Sequence, residues 1–172
     1  MISSLFCFLR ALSISLMLLL GIFILPGQAI ADESSLPLPR FVSLRGDLVN
    51  LRSGPGVQYP VEWVYQRKNL PVEIIAEYRT WRKIRDWQSI QGWVHQSVLS
   101  GRRTVIIIGK RRSLRSSPDT KSPPVALIEA SAIATLDQCP TGGGWCRVQA
   151  ESIQGWLRKV EFWGAYRNEV LK

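Results

Sequence analysis

The chain contains 172 residues, with 22 lysines and arginines against 13 acidic residues, and its formal net charge is +9. A charge of this sign favours anionic neighbours. One histidine and three cysteines are too few to supply the common hydrolytic sites or a zinc site of three or four ligands. We therefore expect no catalytic residues, no metal and no cofactor.

The N-terminal segment has the three-part pattern of a secretory signal peptide. Arg10 supplies the positive flank, an apolar run extends over residues 11–25, and Ala29-Ile30-Ala31 is a small-x-small cleavage site. This pattern predicts a signal peptide over residues 1–31, cleavage after Ala31, and a periplasmic or secreted protein. The alternative is an uncleaved membrane anchor, but a spanning helix needs about 20 apolar residues and this run is shorter.

An internal repeat appears when the sequence is compared with itself at an offset of 63 to 64 residues. Leu51-Arg52-Ser53 falls on Leu114-Arg115-Ser116, and Ile90-Gln91-Gly92-Trp93 falls on Ile153-Gln154-Gly155-Trp156. Because this period is longer than typical solenoid repeats of roughly 20 to 50 residues, each unit should be a small domain with its own core. After a linker over 32–39, we place the first domain at residues 40–107 and the second at 108–169.

Short segments rich in valine, isoleucine and aromatic residues predict β-strands in each unit. In the first unit these segments are Val61 to Tyr65, Pro71 to Tyr78, Trp81 to Asp86 and Gly92 to His95. Polar or glycine-containing turns separate them, and no helical period follows the signal segment. The pattern predicts an all-β chain of two small closed barrels or sandwiches.

The motif Val49-Asn50-Leu51-Arg52-Ser53-Gly54-Pro55-Gly56, followed by Tyr59-Pro60-Val61 and Gly92-Trp93-Val94-His95, resembles bacterial SH3-like (SH3b) domains. The resemblance covers nearly all of the chain after residue 31. In the second unit, Ser117-Pro118-Asp119 replaces Gly-Pro-Gly. The resemblance implies two tandem SH3-like β-barrels and a binding role, because such domains are targeting modules beside the enzymes of wall hydrolases.

Cys139 and Cys146 are the two cysteines outside the signal segment, and they flank the flexible turn Pro140 to Gly144. A disulfide is the natural assignment in an exported chain. Closing so short a loop contributes roughly 2.5 kcal/mol in the chain-entropy model. The alternative is a redox-active pair, although this spacing differs from Cys-x-x-Cys.

Aromatic residues divide into two sets. Four tryptophans match between the units and are expected in core or barrel packing: Trp81, Trp93, Trp145 and Trp156. Aromatic residues without a counterpart in the second unit, together with Arg52, are candidates for a surface that binds peptides or glycan: Tyr59, Trp63, Tyr65 and Trp87. His95 lies near a strand end, where we expect it to be exposed or locally hydrogen-bonded.

A group of cations surrounds the apolar segment Thr104 to Ile108 that links the units. It comprises Arg102, Arg103, Lys110, Arg111, Arg112 and Arg115. The group is either a solvated edge that discourages aggregation or a docking site for phosphate or carboxylate groups.

The leading functional hypothesis is an exported, non-catalytic module that binds cell-wall peptidoglycan or short peptides of the envelope. The alternative is a structural partner that docks onto another envelope protein, and an enzyme is the third class. Export argues against nucleic acid as the partner, whereas the basic charge allows peripheral contact with an anionic membrane surface.

Overall fold

The computed structural model describes residues 36–172, which belong to one compact unit. The signal peptide, its cleavage after Ala31 and the alternative of a membrane anchor lie outside the described residues. Within residues 36–172, no helix combines the length and the hydropathy that crossing a bilayer requires.

The described chain forms strands and two single-turn 3₁₀ helices, over Gln96–Val98 and Lys159–Glu161. The strands are β1 (Arg40–Leu44), β2 (Val49–Arg52), β3 (Val61–Tyr65), β4 (Pro71–Tyr78), β5 (Trp81–Arg85), β6 (Gln91–His95), β7 (Leu99–Ser100), β8 (Thr104–Ile107), β9 (Arg112–Arg115), β10 (Pro124–Ile128), β11 (Ile133–Gln138), β12 (Trp145–Ala150), β13 (Ile153–Arg158) and β14 (Phe162–Trp163). This architecture confirms the all-β prediction.

The strands form two antiparallel seven-stranded sheets with the same topology. The first sheet, here called the first barrel, has the order β3-β2-β6-β5-β4-β1-β7, and the second barrel has the order β10-β9-β13-β12-β11-β8-β14. Each strand of the second sheet stands seven places after its counterpart in the first. The repeat in the sequence is therefore a repeat of the whole sheet.

The shared Ile-Gln-Gly-Trp motif has a packing reason. A Cβ atom on Gly92 would lie 2.6 Å from Cγ of Leu51, and a Cβ atom on Gly155 would lie 2.8 Å from Cβ of Leu114. Both distances are shorter than real carbon contacts. Glycine at this point lets β6 pass close to β2 in the first barrel and lets β13 pass close to β9 in the second.

Each barrel has its own apolar core, as expected from the period-2 alternation of its strands. The first core includes Leu44, Leu51, Val72, Ile84 and Val94. The second core includes Val105, Leu114, Val148, Leu157 and Phe162.

Strand β8 belongs to the second barrel, although the sequence analysis assigned residues 104–107 to the first domain. Ile106 pairs with Ile133 of β11, and Ile107 pairs with Phe162 of β14. All four residues of β8 are buried, with Val105 and Ile107 in the second core and Ile106 in the first. Because the strand is buried on both faces, its side chains do not alternate between apolar and polar. The sequence therefore gives no sign of which sheet the strand joins.

The barrels contact each other beside β8. The Phe41 ring lies 4.8 Å from the Trp163 ring and 4.7 Å from the Tyr166 ring, measured between centroids. The Thr104 hydroxyl donates a hydrogen bond of 2.8 Å to the Asn69 carbonyl. The two barrels are thus packed together by apolar and polar contacts.

Candidate functional site

Two of the four candidate aromatic residues are exposed and two are not. Tyr59 and Trp63 are exposed, whereas Tyr65 is only 4% exposed and Trp87 packs against the first core. The Tyr65 hydroxyl donates a hydrogen bond of 3.0 Å to Oδ2 of Asp86. Burial, followed by the charge and hydrogen bond of Asp86, raises the pKa of Tyr65. The prediction of Tyr65 as a surface residue is wrong, because it pairs with the buried Val49 and shares its inward face.

Arg52 holds a loop in place instead of projecting freely toward a ligand. Its guanidinium donates hydrogen bonds to the carbonyls of Val57 at 3.1 Å and Tyr59 at 2.7 Å. In the second barrel, the guanidinium of Arg115 donates in the same way to the Ser122 carbonyl at 2.6 Å. The matched arginines therefore stabilise matching loops.

The loop and edge of the first barrel carry exposed apolar side chains. We call this region the β3 surface, and it consists of Val57, Tyr59, Val61, Trp63 and Val64. Strand β3 is the end strand of its sheet. Exposed apolar side chains on an edge strand can serve as a binding surface. The Tyr59 ring packs over Gly54, where an added Cβ atom would lie 2.4 Å from Cδ1 of Tyr59.

Core or barrel packing was expected for the matched tryptophans, and the structure places them on the outer faces of the sheets, outside the two buried cores. In the first barrel Trp81 lies opposite His95, and Trp93 lies between Lys83 and Arg52. We call these five residues the first outer strip. The neighbours of Trp93, Gly92 and Val94, are buried, so strand alternation directs the indole to the opposite face.

The second barrel repeats this arrangement. Trp145 lies opposite Arg158, and Trp156 lies between Arg147 and Arg115. All four matched tryptophans are partly exposed. The repeat thus preserves an alternation of indoles and cations on the outer face of both sheets.

His95 is locally hydrogen-bonded, as predicted. Its Nδ1 lies 2.8 Å from Oγ of Ser97, and its ring contacts Trp81 edge to face at 5.5 Å between centroids. Among residues 36–172, no three histidine, cysteine, aspartate or glutamate side chains come together as potential metal ligands.

The six cations around β8 do not form one cluster. Arg103 pairs with Glu169, Arg111 pairs with Glu129, and Arg112 donates to the Ile108 carbonyl at 3.3 Å. Arg115 holds the loop described above. Within the described chain, the side chains of Arg102 and Lys110 alone of the six make no hydrogen bond or ion pair. They lie at opposite ends of β8.

Cys139 and Cys146 form the predicted disulfide, and both residues are fully buried. Cys139 also exchanges two backbone hydrogen bonds with Leu171, at 2.8 and 3.0 Å. A cleft of about 350 Å³ lies between the disulfide loop and the C-terminal segment, lined in part by Gly143, Lys159 and Arg167. No sequence pattern indicates this cleft, because it depends on the tertiary contact of the C-terminal segment.

Both units match the family model of the bacterial SH3 domain, over residues 45–101 and 109–164. The chain belongs to the bacterial SH3 domain family. In each SH3 domain the match begins just after the first strand, at the residue that follows β1 and two residues after β8. This agreement supports the pairing of β8 with the second barrel.

Two solved structures are similar to this chain. NlpC1 from Trichomonas vaginalis has 13% identity and a TM-score of 0.34, with 80% of this chain and 50% of that chain covered. NlpC2 from the same organism has 12% identity and a TM-score of 0.34, with 75% and 49% covered. The chain thus spans about half the length of these structures, and so low a TM-score carries no functional conclusion. None of the curated proteins compared with the chain matches it.

Proposed function

We propose that the chain is a non-catalytic, extracytoplasmic binding module that recognises cell-wall peptidoglycan or short envelope peptides through the first outer strip. The observation that carries this proposal is the placement of Trp93 between Lys83 and Arg52 on the open face of the first sheet. The β3 surface adjoins this strip, because Val61 of the β3 surface pairs with Arg52 of the strip.

The chemistry of the strip suits such a ligand. Indole faces pack against sugar rings and apolar side chains while the nitrogen remains available for hydrogen bonding. Lys83 attracts the carboxylates of wall peptides, whereas Arg52 adds positive charge from a guanidinium that also holds the neighbouring loop. The second barrel has a similar strip, but its Arg147 is already paired, because Nε of Arg147 lies 2.6 Å from Oδ2 of Asp137. Lys83 has no such partner in the described chain, which favours the first barrel.

The extracytoplasmic location is supported by two features. The predicted signal peptide directs export, and the buried Cys139–Cys146 disulfide is typical of proteins in oxidising compartments. Cleavage after Ala31 removes one basic residue, Arg10, so the exported chain keeps 21 basic and 13 acidic residues and a net charge of +8, which attracts an anionic, carboxylate-bearing wall polymer.

Sedimentation with purified peptidoglycan at low and moderate salt tests the proposal. The exported chain should sediment, and Trp93→Ala should weaken binding by about thirtyfold, as expected for the loss of an anchor worth roughly 2 kcal/mol. Trp156→Ala is the matched control in the second barrel and should have little effect. Lys83→Glu supplies a second variant, since it leaves the indole in place. If the unmodified chain fails to sediment at both the low and the moderate salt concentration, wall binding is ruled out.

An assembly role is a second candidate, because the β3 surface is an exposed apolar edge of the kind that docks onto other proteins. Crosslinking in cells followed by mass spectrometry separates the two functions, since one dominant protein partner favours assembly. Turnover of peptidoglycan that disappears in a His95→Ala variant would contradict a non-catalytic role.

A further inference from the structure

A pocket of about 280 Å³ opens on the second barrel beside strand β10. Eight of its ten lining residues are aliphatic, among them Leu114, Ala126, Ile128, Ala132, Ala150 and Ile153. Leu114 and Ile128 are buried members of the second core. The pocket therefore reaches from the surface to the core, and its size suits one large side chain more than an extended small molecule.

The two barrels differ at a position that lines this pocket. In the first barrel Leu51 pairs with Trp63, and at the matching position in the second barrel Leu114 pairs with Ala126. The indole of the first barrel is thus replaced by a methyl group. Ala126 lines the pocket, so a side chain as large as indole at this position would reduce the space beside β10.

The turn that follows β12 in the second barrel is shorter than the turn that follows β5 in the first, and it lacks an aromatic residue. In the first barrel this turn carries Trp87, which packs against the first core. In the second barrel Ala150 pairs with Ile153, so the turn contains only Glu151 and Ser152. The shorter turn brings no aromatic ring over the core, and the pocket stays open.

Two carboxylates stand at the rim of the pocket, in a chain whose net charge is +9. Glu129 pairs with Arg111, but both side chains are more than half exposed, and such pairs are weak. The Glu151 side chain has no hydrogen bond or ion pair within residues 36–172. With Arg111 beside Glu129, the rim keeps an excess of one negative charge, at Glu151. An apolar floor with such a rim complements an apolar group that is flanked by positive charge.

We propose that this pocket binds a basic peptide segment. One large apolar side chain of the peptide enters the pocket, and neighbouring lysines or arginines meet Glu129 and Glu151. Strand β10 is the end strand of its sheet, so its free backbone edge can pair with an extended peptide. The site lies on the second barrel and is independent of the first outer strip.

The test uses the exported chain and two peptides, acetyl-Lys-Phe-Lys-amide and acetyl-Glu-Phe-Glu-amide, with binding measured by isothermal titration calorimetry. The basic peptide should bind and the acidic peptide should not. Ala126→Trp introduces the residue that the first barrel has at this position, and it should weaken binding more than tenfold. Glu62→Gln, which removes an exposed carboxylate of the first barrel, is the control and should leave binding unchanged.

A second variant separates binding from folding. Glu151 has a φ of +53°, a left-handed conformation that glycine adopts more easily than glutamate. Glu151→Gly should therefore raise the melting temperature while it weakens binding of the basic peptide by about tenfold. Damage to the fold cannot produce these opposite changes.

Three outcomes would overturn the proposal. The first is unchanged affinity in both Ala126→Trp and Glu151→Gly, and the second is equal binding of the basic and acidic peptides. The third is a concentration-dependent dimer that Ala126→Trp abolishes, since the occupant would then be a second copy of the chain. Sedimentation of the same variants with peptidoglycan shows whether the first outer strip still functions, so the two proposals can fail separately.

Discussion

Phe41 and Trp163 contact each other edge to face, with their ring planes at 89° and their centroids 4.8 Å apart. Phe41 lies in the first strand of the first barrel, and Trp163 lies in the last strand of the second. Tyr166 contacts the same phenyl ring and donates a hydrogen bond of 2.9 Å to Oε1 of the buried Glu73. These contacts couple the stability of one barrel to the other.

Replacement of Phe41 by alanine should weaken this coupling. We expect the free energy of unfolding to fall by about 3 kcal/mol, the lower end of the range for deletion of a buried phenyl ring. The two barrels should then unfold in separate steps. Urea unfolding followed by tryptophan fluorescence and by hydrogen exchange measures both effects. Tyr78→Ala, at an exposed ring of the first barrel, is the control; a single unchanged transition in Phe41→Ala would show that the barrels are not coupled through this ring.

Much of the fold was predictable because it depends on local patterns that occur twice. Short segments rich in β-branched and aromatic residues indicated the strands, and the shared Ile-Gln-Gly-Trp motif indicated the repeat, whose glycines Gly92 and Gly155 prove to lie at equivalent close approaches in the two sheets. The place of β8 was not predictable in this way. Its continuous apolar run contacts both cores, so only the long-range pairing with β11 and β14 assigns it to the second barrel.

The candidate site was less predictable than the fold, because residue type and strand position point in different directions. Tryptophan is a large apolar residue, which favours a core assignment, but Trp93 lies between two inward-facing residues and must face outward. Tyr65 shows the opposite case, since its polar hydroxyl is satisfied by Asp86 inside the barrel. The alternation of neighbouring residues was the available signal for Trp93, whereas nothing local indicated the contact between Tyr65 and Asp86.

Removal of the disulfide should destabilise the second barrel more than the first. The cysteines are 7 residues apart in the sequence, and closure of so short a loop contributes about 2.5 kcal/mol in the chain-entropy model. The double variant Cys139→Ala and Cys146→Ala is preferable to chemical reduction, since both cysteines are buried. Hydrogen exchange should accelerate in β11 and β12 more than in β4 and β5. Thr141→Ala, in the same loop, is the control, and equal acceleration in both barrels would contradict the prediction.

Acid should weaken the attachment of the C-terminal segment through Glu169. Burial acts to raise the pKa of this carboxyl, but hydrogen bonds from Arg103 and the Tyr166 N–H, with the charges of Arg103 and Lys159, outweigh burial and hold the pKa below its usual 4.5. Because the folded chain has the lower pKa, the stabilisation is complete above the ordinary value and is lost as the pH falls through the folded one.

The Glu169→Gln variant isolates this contribution. The variant should be less stable than the unmodified chain at neutral pH, and the difference should shrink as the pH falls below the ordinary pKa. Urea unfolding at a series of pH values measures the difference. A Glu161→Gln variant controls for the loss of one carboxylate elsewhere in the second barrel. A difference between Glu169→Gln and the unmodified chain that stays constant with pH would show that ionisation of Glu169 does not stabilise the fold.

Charge reversal at Arg102 and Lys110 should slow the association of anionic wall fragments without a comparable change in their dissociation. Both residues are exposed, and neither side chain makes a hydrogen bond or an ion pair in the described chain. They lie at the two ends of β8 and form no single pocket, so they act through the long-range field that steers encounter.

Rapid-mixing measurements with soluble peptidoglycan fragments should show a several-fold lower association rate in Arg102→Glu and Lys110→Glu at low salt. The difference should vanish near 1 M salt, where the screening length is about 3 Å. Arg102→Lys with Lys110→Arg preserves the charges and should leave both rates unchanged, whereas a faster dissociation in the glutamate variants would mean that these side chains contact the ligand directly.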